Sequence, residues 1–231
     1  MAWVPKLELT VQGTGERIEF PVERAFNGGY AGRDQASVQK HIDELAEIGV
    51  PAPNQIPTLF AVGNNLVTTA DSVQVQHDKT SGEVEYVLLI GDRETYVTVG
   101  SDQTDRGLEA TVVEWSKQSY PNVFAPEVWR HSEVADHWDD LEIRCWVTKG
   151  GERSLYQEAK LAELLPPDSW LKTLERLFGR VPKNIAVMSG TVSAKAGLVY
   201  GDAWDLEIHD PVLNRTIRHS YSVEILREKI V

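Results

Sequence analysis

Alternation of apolar and polar residues is the dominant pattern along this chain, and it predicts many strands and few helices. The segments "LELTVQ" and "RIEFPVE" flank the turn "GTGE" and indicate an N-terminal hairpin. Further segments with strand periodicity or a short apolar run lie at 83–90, 95–102, 140–147, 184–192, 204–210 and 217–226. The pattern therefore predicts a β-rich α+β fold rather than the regular βαβ alternation of a doubly wound sheet.

The first of three predicted helices has clear boundaries. Asp34 can cap its start, while Val38, Ile42 and Leu45 form an apolar stripe at i, i+4 and i+7. Gly49, which a Val-Pro pair follows, is typical of a helix end. The Gly-rich loop "FNGGYAG" precedes this helix, and the Pro-rich crossing "VPAPNQIPTL" follows it.

The other two predicted helices adjoin a pair of prolines. One helix covers about 157–165 and is stopped by the prolines at 166–167. The other covers about 169–178, with Asp168 as its N-cap and Gly179 as its stop.

Composition narrows the class of protein. The 231 residues are 42% hydrophobic and 25% charged, as in ordinary globular proteins. The formal net charge of -12 argues against nucleic acid or an anionic membrane as partner, because both bind clustered Lys and Arg. We find no run of 18 apolar residues and no signal-peptide pattern, so we expect a cytoplasmic protein. The single cysteine, Cys145, cannot form an internal disulfide, and its apolar neighbours predict a core thiol.

The hairpin predicted around the turn "GDRE" has an unusual placement of charge. Glu83 and Glu85 share one face of a strand whose remainder is apolar on both faces. If the turn centres the hairpin, Glu85 faces Gly100 and Glu83 faces Asp102, so three carboxylates converge at its open end. Two carboxylates about 5 Å apart repel by roughly 3 kcal/mol at an effective dielectric of about 20. A hard divalent cation would offset this repulsion; the alternative is a solvated strand end at which the acids never meet.

The same hairpin resembles the metal-binding core of the fumarylacetoacetate hydrolase superfamily. "SGEVEYVLLIG" and "YVTVGSDQTDR" are similar to the family motifs Glu-x-Glu-Leu-x-x-Val-Ile-Gly and Gly-Tyr-x-x-x-Asn-Asp-x-Ser-Ala-Arg-Asp. The resemblance implies that Glu83, Glu85 and Asp102 bind one Mg²⁺ or Mn²⁺ ion, and this is the trio that the hairpin brings together. It also places Arg106 on the motif arginine, with a role in substrate binding.

Other pieces of the family pattern follow in the same order. Lys117 in "WSKQSYPNVFAPEVW" falls on a catalytic lysine, and Gln157 in "SLYQEA" falls on a substrate-binding glutamine. "AVMSGTVSAKAG" resembles the Gly-Thr-Pro-x-Gly loop, which implies substrate contacts from Gly190 and Thr191. The order and approximate spacing hold from about residue 28 onward, which makes the resemblance fairly specific.

The sequence departs from the family at the catalytic histidine. Family members have Asn-Tyr-x-x-His-x-x-Glu near the N-terminus, whereas Tyr30 is followed here by Arg33, and His41 and Glu44 come later. On a helix His41 and Glu44 share a face at i, i+3, so we favour them as the catalytic pair. Two alternatives stay open: Arg33 takes the place of the histidine, or His41 and Glu44 are the solvated side of an amphipathic helix.

The resemblance implies one domain over residues 1–231, with a mixed β-sandwich roll and a few short helices. Residues 1–59 would form the N-terminal hairpin, a lid helix and the Pro-rich crossing, and residues 60–231 the β-roll core. The resemblance also implies a homodimer. The implied activity is metal-dependent cleavage of a carbon–carbon bond in a 2-oxo or 1,3-dicarbonyl acid, such as an acylpyruvate.

Two other interpretations are consistent with the same residues. Without an attacking water, the site would suit an oxaloacetate-type decarboxylase or a keto–enol isomerase. The fold could also belong to a non-catalytic metabolite-binding or structural protein. The complete acid trio together with Lys117 favours an enzyme with a small-molecule oxo acid as its partner.

Overall fold

The computed structural model describes residues 3–47 and 52–226, except for the side chains at 41 and 44–47. The strands are β1 (Lys6–Val11), β2 (Glu16–Pro21), β3 (Arg24–Gly29), β4 (Thr58–Val62), β5 (Val67–Thr68), β6 (Ser72–Val75), β7 (Thr80–Ser81), β8 (Val84–Ile90), β9 (Thr95–Asp102), β10 (Thr104–Asp105), β11 (Asn122–Phe124), β12 (Glu127–Arg130), β13 (Glu142–Lys149), β14 (Glu152–Lys160), β15 (Ile185–Met188), β16 (Ala203–Asp210) and β17 (Arg215–Ile225). The helices are α1 (Gln35–Glu47), α2 (Arg106–Glu109), α3 (Val113–Ser119), α4 (His131–Val134) and α5 (Pro167–Phe178), with 3-10 turns at Asn64–Leu66, Ala135–Asp140 and Leu161–Glu163.

Most strands belong to two mixed sheets. The larger sheet has the order β2-β1-β12-β9-β8-β15-β3-β4, and β11 joins β9 to β5. The smaller sheet has the order β14-β13-β16-β17-β6, and β7 pairs with β10 on its own. This β-rich α+β architecture with few helices confirms the predicted fold class.

The central strand β8 is buried along its whole length, as its apolar sequence predicts. One face, which includes Tyr86, packs with Ile143 and Leu206 of the smaller sheet. The other face, which includes Val87, packs in a second apolar cluster with Leu7 of β1. One of the two strands of the β8–β9 hairpin is therefore covered by apolar residues on both faces.

The first helix agrees with the sequence where the structure describes it. Asp34 Oδ1 accepts two backbone N–H groups of the first turn, at 3.0 and 3.4 Å, which confirms the predicted N-cap. Val38 and Ile42 are buried. The Leu45 side chain and Gly49 lie outside the described residues.

The predicted helix at about 157–165 is wrong. β14 continues to Lys160, and only the 3-10 turn Leu161–Glu163 follows it. The segment "QEAKLAEL" consists of good helix formers, but β14 pairs with β13 from end to end, and this pairing overrides the local preference. Gln157 therefore lies on a strand.

The third helix begins earlier than predicted. α5 starts at Pro167, with Pro166 in the N-cap position, so the assignment of Asp168 as the cap is wrong. Proline suits the first helical position, because the backbone N–H that it lacks would have no partner there. Gly179 ends the helix in the left-handed conformation at φ 72°, as predicted.

The predicted Gly-rich loop is only partly a loop. Residues 26–29 belong to β3, which pairs with β15 and β4, so the irregular segment starts at Tyr30. A Cβ on Gly28 would lie 2.7 Å from the Trp170 ring and 2.8 Å from the Met188 carbonyl oxygen. Glycine therefore allows the strand to pass this crowded point.

Two further predictions agree with the structure. β1 and β2 pair antiparallel over six residue pairs and form the N-terminal hairpin. Cys145 is a fully buried free thiol, and burial raises its pKa, so it is a core residue rather than a nucleophile.

Candidate metal centre

The hairpin of β8 and β9 brings three acidic side chains together. Its register pairs Glu85 with Gly100, as predicted from the position of the turn. Beyond the last ladder pair, the Asp102 N–H donates to the Glu83 carbonyl at 3.1 Å, so these two residues face each other. Carboxylate oxygens of Glu83, Glu85 and Asp102 lie within 4.8 Å of one another.

The chemistry of this trio fits a hard divalent cation. Asp102 is fully buried and Glu85 is 1% exposed, whereas the Glu83 side chain keeps 15% of its surface exposed. Asp102 Oδ1 has no hydrogen-bond donor among the described residues, which is costly for a buried carboxylate oxygen. Carboxylate oxygens are the ligands that Mg²⁺ and Mn²⁺ prefer. One such ion would satisfy the unpaired oxygen and offset the repulsion among the acids.

Lys117 extends from α3 into the carboxylate cluster. Its Nζ lies 2.6 Å from Asp102 Oδ2 and 3.2 Å from Glu83 Oε2, and it donates to Thr104 Oγ1 at 3.1 Å. Burial lowers the pKa of Lys117, but the charges of Asp102 and Glu83 outweigh burial and raise this pKa above its usual value. The ammonium is therefore a permanent positive charge beside the three acids.

Arg106, the first residue of α2, holds Glu83 from a second direction. Its guanidinium nitrogens lie 2.6 Å from Glu83 Oε1, 2.6 Å from Glu109 Oε2 and 2.7 Å from Ser81 Oγ. Asp105 caps α2 by accepting a backbone N–H and so fixes the start of this helix. Each guanidinium nitrogen thus contacts a side-chain oxygen within the chain, and the arrangement orients Glu83.

The two glutamates have opposite electrostatic environments. Burial raises the pKa of Glu83, but Lys117 and Arg106 outweigh burial and lower this pKa to about 2. For Glu85, burial and then the charge of Asp102 raise the pKa well above its ordinary value. A cation bound among these acids would favour the ionised form of Glu85, so metal binding would release a proton where this group is still protonated.

The loop after β15 adjoins the trio. The Gly190 N–H donates to Glu85 Oε2 at 2.7 Å. Gly190 has φ 79°, and a Cβ there would lie 3.1 Å from the Gly28 carbonyl oxygen, so this position suits glycine. Thr191 Oγ1 donates to the Val84 carbonyl at 2.8 Å and so connects the loop to the start of β8.

Gln157 on β14 supports the same loop. Its Oε1 accepts the Val84 N–H at 3.0 Å, and its Nε2 donates to Thr191 Oγ1 at 2.8 Å and to the Val192 carbonyl at 2.6 Å. The two amide hydrogens are thus used within the chain, and the side chain braces the strand that carries Glu85. A direct contact between Gln157 and substrate stays a prediction.

The segment that leads into α1 is held by residues 161–165. Tyr30 has φ 54°, and burial and the charges of Glu109 and Glu114 raise its pKa. Gly32 forms a β-bridge with Leu164. Arg33 contacts Asp139 through two nitrogens, at 2.6 and 2.8 Å, and donates to the Leu164 carbonyl at 3.0 Å. Arg33 therefore fastens the start of α1 to residues 139–164.

The predicted catalytic pair lies on α1. His41 and Glu44 belong to this helix and are separated by about one turn. Their side chains lie outside the described residues, so the catalytic role of the pair stays a prediction.

The sequence matches the family model described as "Protein of unknown function (DUF2848)" over residues 28–221. The chain belongs to this family. No curated protein matches the sequence.

Solved structures share the fold of this DUF2848 protein. Fumarylpyruvate hydrolase from Pseudomonas aeruginosa, in complex with Mn²⁺ and pyruvate, has a TM-score of 0.64 and 19% identity over 98% of this chain and 99% of that chain. A yeast protein of the fumarylacetoacetate hydrolase family has a TM-score of 0.63 and 14% identity, over 91% and 97%. The dehydratase of 2-keto-3-deoxy-D-arabinonate, complexed with magnesium and 2,5-dioxopentanoate, has a TM-score of 0.60 and 16% identity, over 94% and 78%. These likenesses confirm the resemblance to the superfamily at the level of the fold.

Several polar residues of the DUF2848 protein that no motif singled out lie near the acid trio. They are Ser101, Gln103, Thr104, Glu109 and Tyr221. The first three belong to "SDQTD", a polar run that follows the apolar part of β9. A polar run directly after a buried strand could have indicated these residues as neighbours of the acid trio. In the described part of the DUF2848 chain, no helix is both long and apolar enough to cross a membrane.

Proposed function

We propose that this DUF2848 protein is a divalent-metal-dependent enzyme that cleaves a carbon–carbon bond in a 2-oxo or 1,3-dicarbonyl acid of the acylpyruvate type. The observation that carries the proposal is the trio of the partly buried Glu83 with the buried Glu85 and Asp102, with Lys117 in contact. The similar fold of fumarylpyruvate hydrolase, complexed with Mn²⁺ and pyruvate, supports the substrate class.

The cofactor of the proposed enzyme is one Mg²⁺ or Mn²⁺ ion, with Glu83, Glu85 and Asp102 as its protein ligands. When bound, such an ion supplies Lewis-acid polarisation of a carbonyl group. Both ions are found in similar structures, Mn²⁺ in the fumarylpyruvate hydrolase and magnesium in the dehydratase.

A divalent ion would remove the negative charge that opposes an anionic substrate at the trio. The three acids and Glu109 face two cations, Lys117 and Arg106, so this group carries a formal charge of -2 when every acid is ionised (two positive minus four negative charges). A divalent ion would cancel this charge and present its own positive charge to an oxo-acid anion. We assign Lys117 to the substrate carboxylate or the developing oxyanion, because it carries a buried, permanent charge.

The remaining predicted site residues take supporting roles in the proposal. Arg106 holds Glu83 in place, and its direct contact with substrate stays a prediction. Gly190 and Thr191 form the substrate side of the loop after β15, and Gln157 braces this loop.

His41, oriented by Glu44, is the proposed general base. Histidine is the side chain whose ordinary pKa suits proton transfer at neutral pH. His41 would accept a proton from water while the water oxygen attacks the distal carbonyl carbon. The bond from this carbon to the adjacent methylene then breaks, and its electron pair stays with the oxo-acid fragment as an enolate. Protonation of the enolate carbon completes the reaction and yields two carboxylic acids.

A reaction without attacking water is the second candidate. The fold also occurs in a dehydratase of 2-keto-3-deoxy-D-arabinonate, so it is not restricted to hydrolysis. Decarboxylation of an oxaloacetate-type acid, or keto–enol isomerisation, would use the trio and Lys117 but not His41. A non-catalytic binding protein is the remaining alternative.

Turnover of acylpyruvates and of oxaloacetate tests the proposal. We expect the wild type to cleave an acylpyruvate in Mg²⁺ or Mn²⁺ and to lose this activity in excess chelator. His41→Ala should lower the rate by about 10²–10⁴-fold, because it removes the general base, and should leave the affinity for Mn²⁺ unchanged. His219→Ala is the matched control, because it also removes an imidazole. His219 lies on β17, and its ring contacts the Ala70 carbonyl at 3.0 Å rather than a residue of the proposed site.

Each other outcome of this experiment selects an alternative. Wild-type turnover of oxaloacetate alone would replace the hydrolase with the decarboxylase. An acylpyruvate rate that His41→Ala leaves intact would remove the histidine from the mechanism. Inactivity on every oxo acid tested would favour the binding protein.

We also propose that α1 acts as a lid over the centre. The segment before the helix is anchored, because Gly28 and Gly29 pair within β3, Gly32 forms a β-bridge with Leu164, and Arg33 binds Asp139. We therefore place the moving part at α1 itself, beyond Arg33. Amide hydrogen exchange over 28–50 should slow when oxalate, an enolate mimic, binds together with Mn²⁺, because a closed lid excludes water. Mass spectrometry would measure this, with peptides of β16 as the internal control. Unchanged exchange over 28–50 would remove the lid role.

We further propose a homodimer in the cytoplasm, without nucleic acid or membrane as partner. The net charge of -12 and the buried free thiol of Cys145 support a reducing compartment and a small-molecule partner. Light scattering on the purified protein would check the homodimer, and fractionation of cells would check the cytoplasmic location.

A further inference from the structure

A buried chain of hydrogen bonds connects the smaller sheet to the back of the β8–β9 hairpin. The Tyr221 hydroxyl of β17 donates to Gln103 Oε1 at 2.7 Å, and the Tyr221 hydroxyl oxygen lies 2.8 Å from Ser101 Oγ. Ser101 and Gln103 are fully buried, and Tyr221 is 2% exposed. These two partners flank Asp102 in the sequence, so their side chains lie on the opposite face from its carboxylate.

Both ends of this chain reach the proposed metal centre. Ser101 Oγ accepts the backbone N–H of Glu83 at 3.1 Å. At the other end, Gln103 Nε2 donates to Thr80 Oγ1, and Thr80 donates to the Thr104 carbonyl, both at 2.8 Å. Thr104 also accepts a hydrogen bond from Lys117 through its hydroxyl. The chain therefore touches the backbone of one proposed ligand and a residue that holds the catalytic lysine.

The protons in this chain have one consistent arrangement. Tyr221 has a single hydroxyl proton, which it donates to Gln103, so Ser101 must donate to the Tyr221 oxygen. Ser101 Oγ keeps a lone pair for the Glu83 N–H. The hydroxyl protons of Tyr221, Ser101 and Thr80 thus each have one acceptor, and a buried network paired in this way fixes the positions of its members.

Gly82 shows how closely Tyr221 approaches the hairpin. A Cβ at this position would lie 2.5 Å from the Tyr221 oxygen and 2.7 Å from Ser101 Oγ. Glycine therefore leaves the space that the hydroxyl occupies, just before Glu83.

We propose that Tyr221 is a positioning residue of the metal centre, which sets the spacing of the Glu83 and Asp102 carboxylates from behind the hairpin. The inference rests on the proposed function, because it assigns Tyr221 a role toward the proposed metal ion. Groups outside the ligand shell that orient ligands change metal affinity by about 10–100-fold when they are removed. Tyr221 acts through the backbone on both sides of Asp102, so we expect the lower end of this range.

Tyr221→Phe tests the proposal by calorimetric titration of metal-free protein with Mn²⁺. We expect the dissociation constant for Mn²⁺ to rise about tenfold. Tyr86→Phe is the matched control: the Tyr86 hydroxyl is also buried and donates to the Leu165 carbonyl while it accepts from Trp170 Nε1. Both variants lose one buried hydroxyl with two hydrogen bonds, so both should lower the melting temperature. Only Tyr221→Phe should weaken Mn²⁺ binding.

Ser101→Ala removes a smaller side-chain group, one hydroxyl, from the same network. It should weaken Mn²⁺ binding by a similar factor, and the double variant Ser101→Ala/Tyr221→Phe should weaken it by less than the product of the two single effects. This variant carries the test if Tyr221→Phe does not fold.

The failures are distinguishable. Wild-type affinity in Tyr221→Phe, or an equal loss of affinity in Tyr86→Phe, would overturn the positioning role alone. A wild type that binds no Mn²⁺ would overturn the proposed function together with this inference.

Discussion

Lys117→Met will lower the free energy of unfolding of the metal-free protein by about 3–5 kcal/mol. The Lys117 side chain is 8% exposed, and its ammonium lies 2.6 Å from Asp102 Oδ2 and 3.2 Å from Glu83 Oε2. Its loss leaves the buried Asp102 carboxylate without this counter-charge and the Glu83 carboxylate with Arg106 alone. Saturating Mn²⁺ should recover most of the loss, because a divalent ion supplies positive charge to the same oxygens. Turnover should disappear even when the metal is bound, since methionine cannot stabilise an oxyanion.

Urea denaturation in chelator and in Mn²⁺ measures the first effect. Lys195→Met is the control, because Lys195 pairs with Glu158 at 3.1 Å but is 47% exposed, and such surface pairs contribute little. Equal stability losses in the two variants would show that Lys117 does not act as a buried counter-charge.

Glu85→Gln, in contrast, will raise the stability of the metal-free protein at neutral pH by about 1–3 kcal/mol and abolish Mn²⁺ binding. Glu85 is buried, and one of its oxygens lies within 4.8 Å of an oxygen of Asp102 and of Glu83, so its charge is repelled in the absence of metal. A glutamine carbonyl can still accept the Gly190 N–H that Glu85 accepts at 2.7 Å. A neutral side chain therefore keeps the hydrogen bond and removes the repulsion.

The gain in stability from Glu85→Gln depends on pH in a defined direction. The pKa of Glu85 in the folded protein lies well above its ordinary value, so between the two values the folded state binds more protons than the unfolded state. The contribution of Glu85 to wild-type stability therefore falls as the pH rises through this interval. The advantage of the variant should be absent at acidic pH and grow toward neutral pH.

Glu83→Gln is the matched control for this effect. Lys117 and Arg106 lower the pKa of Glu83 to about 2, so its carboxylate stabilises the folded state at neutral pH, and this variant should be less stable than the wild type. Denaturation curves at acidic and neutral pH in chelator would measure both variants. If both variants changed the free energy of unfolding in the same direction at neutral pH, the electrostatic difference between the two glutamates would be contradicted.

The hairpin that carries the acids could be predicted from the sequence because it depends on local rules. Strand periodicity fixed which residues share a face, and the turn "GDRE" fixed the register that pairs Glu85 with Gly100. Asp34 and Gly179 likewise have local signatures, as an N-cap and a C-terminal stop.

The elements that were predicted wrongly depend on distant partners. The segment after Gln157 consists of good helix formers, and only its pairing with β13 makes it a strand. Residues 26–29 look like a Gly-rich loop, but β15 and β4 on either side make them a strand. Tyr221 lies 120 residues from Ser101 in the sequence, and no local pattern links them.

The position of Tyr221 on β17 also sets an order of events during synthesis. The three acidic residues leave the ribosome early, yet the strand that braces their hairpin follows more than a hundred residues later, since 120 residues separate Ser101 from Tyr221. Ribosomes add about 5–20 residues per second, so several seconds separate the synthesis of the hairpin from that of β17. A chain still attached to the ribosome would hold its acids without their brace, and tight metal loading would therefore follow the arrival of β17.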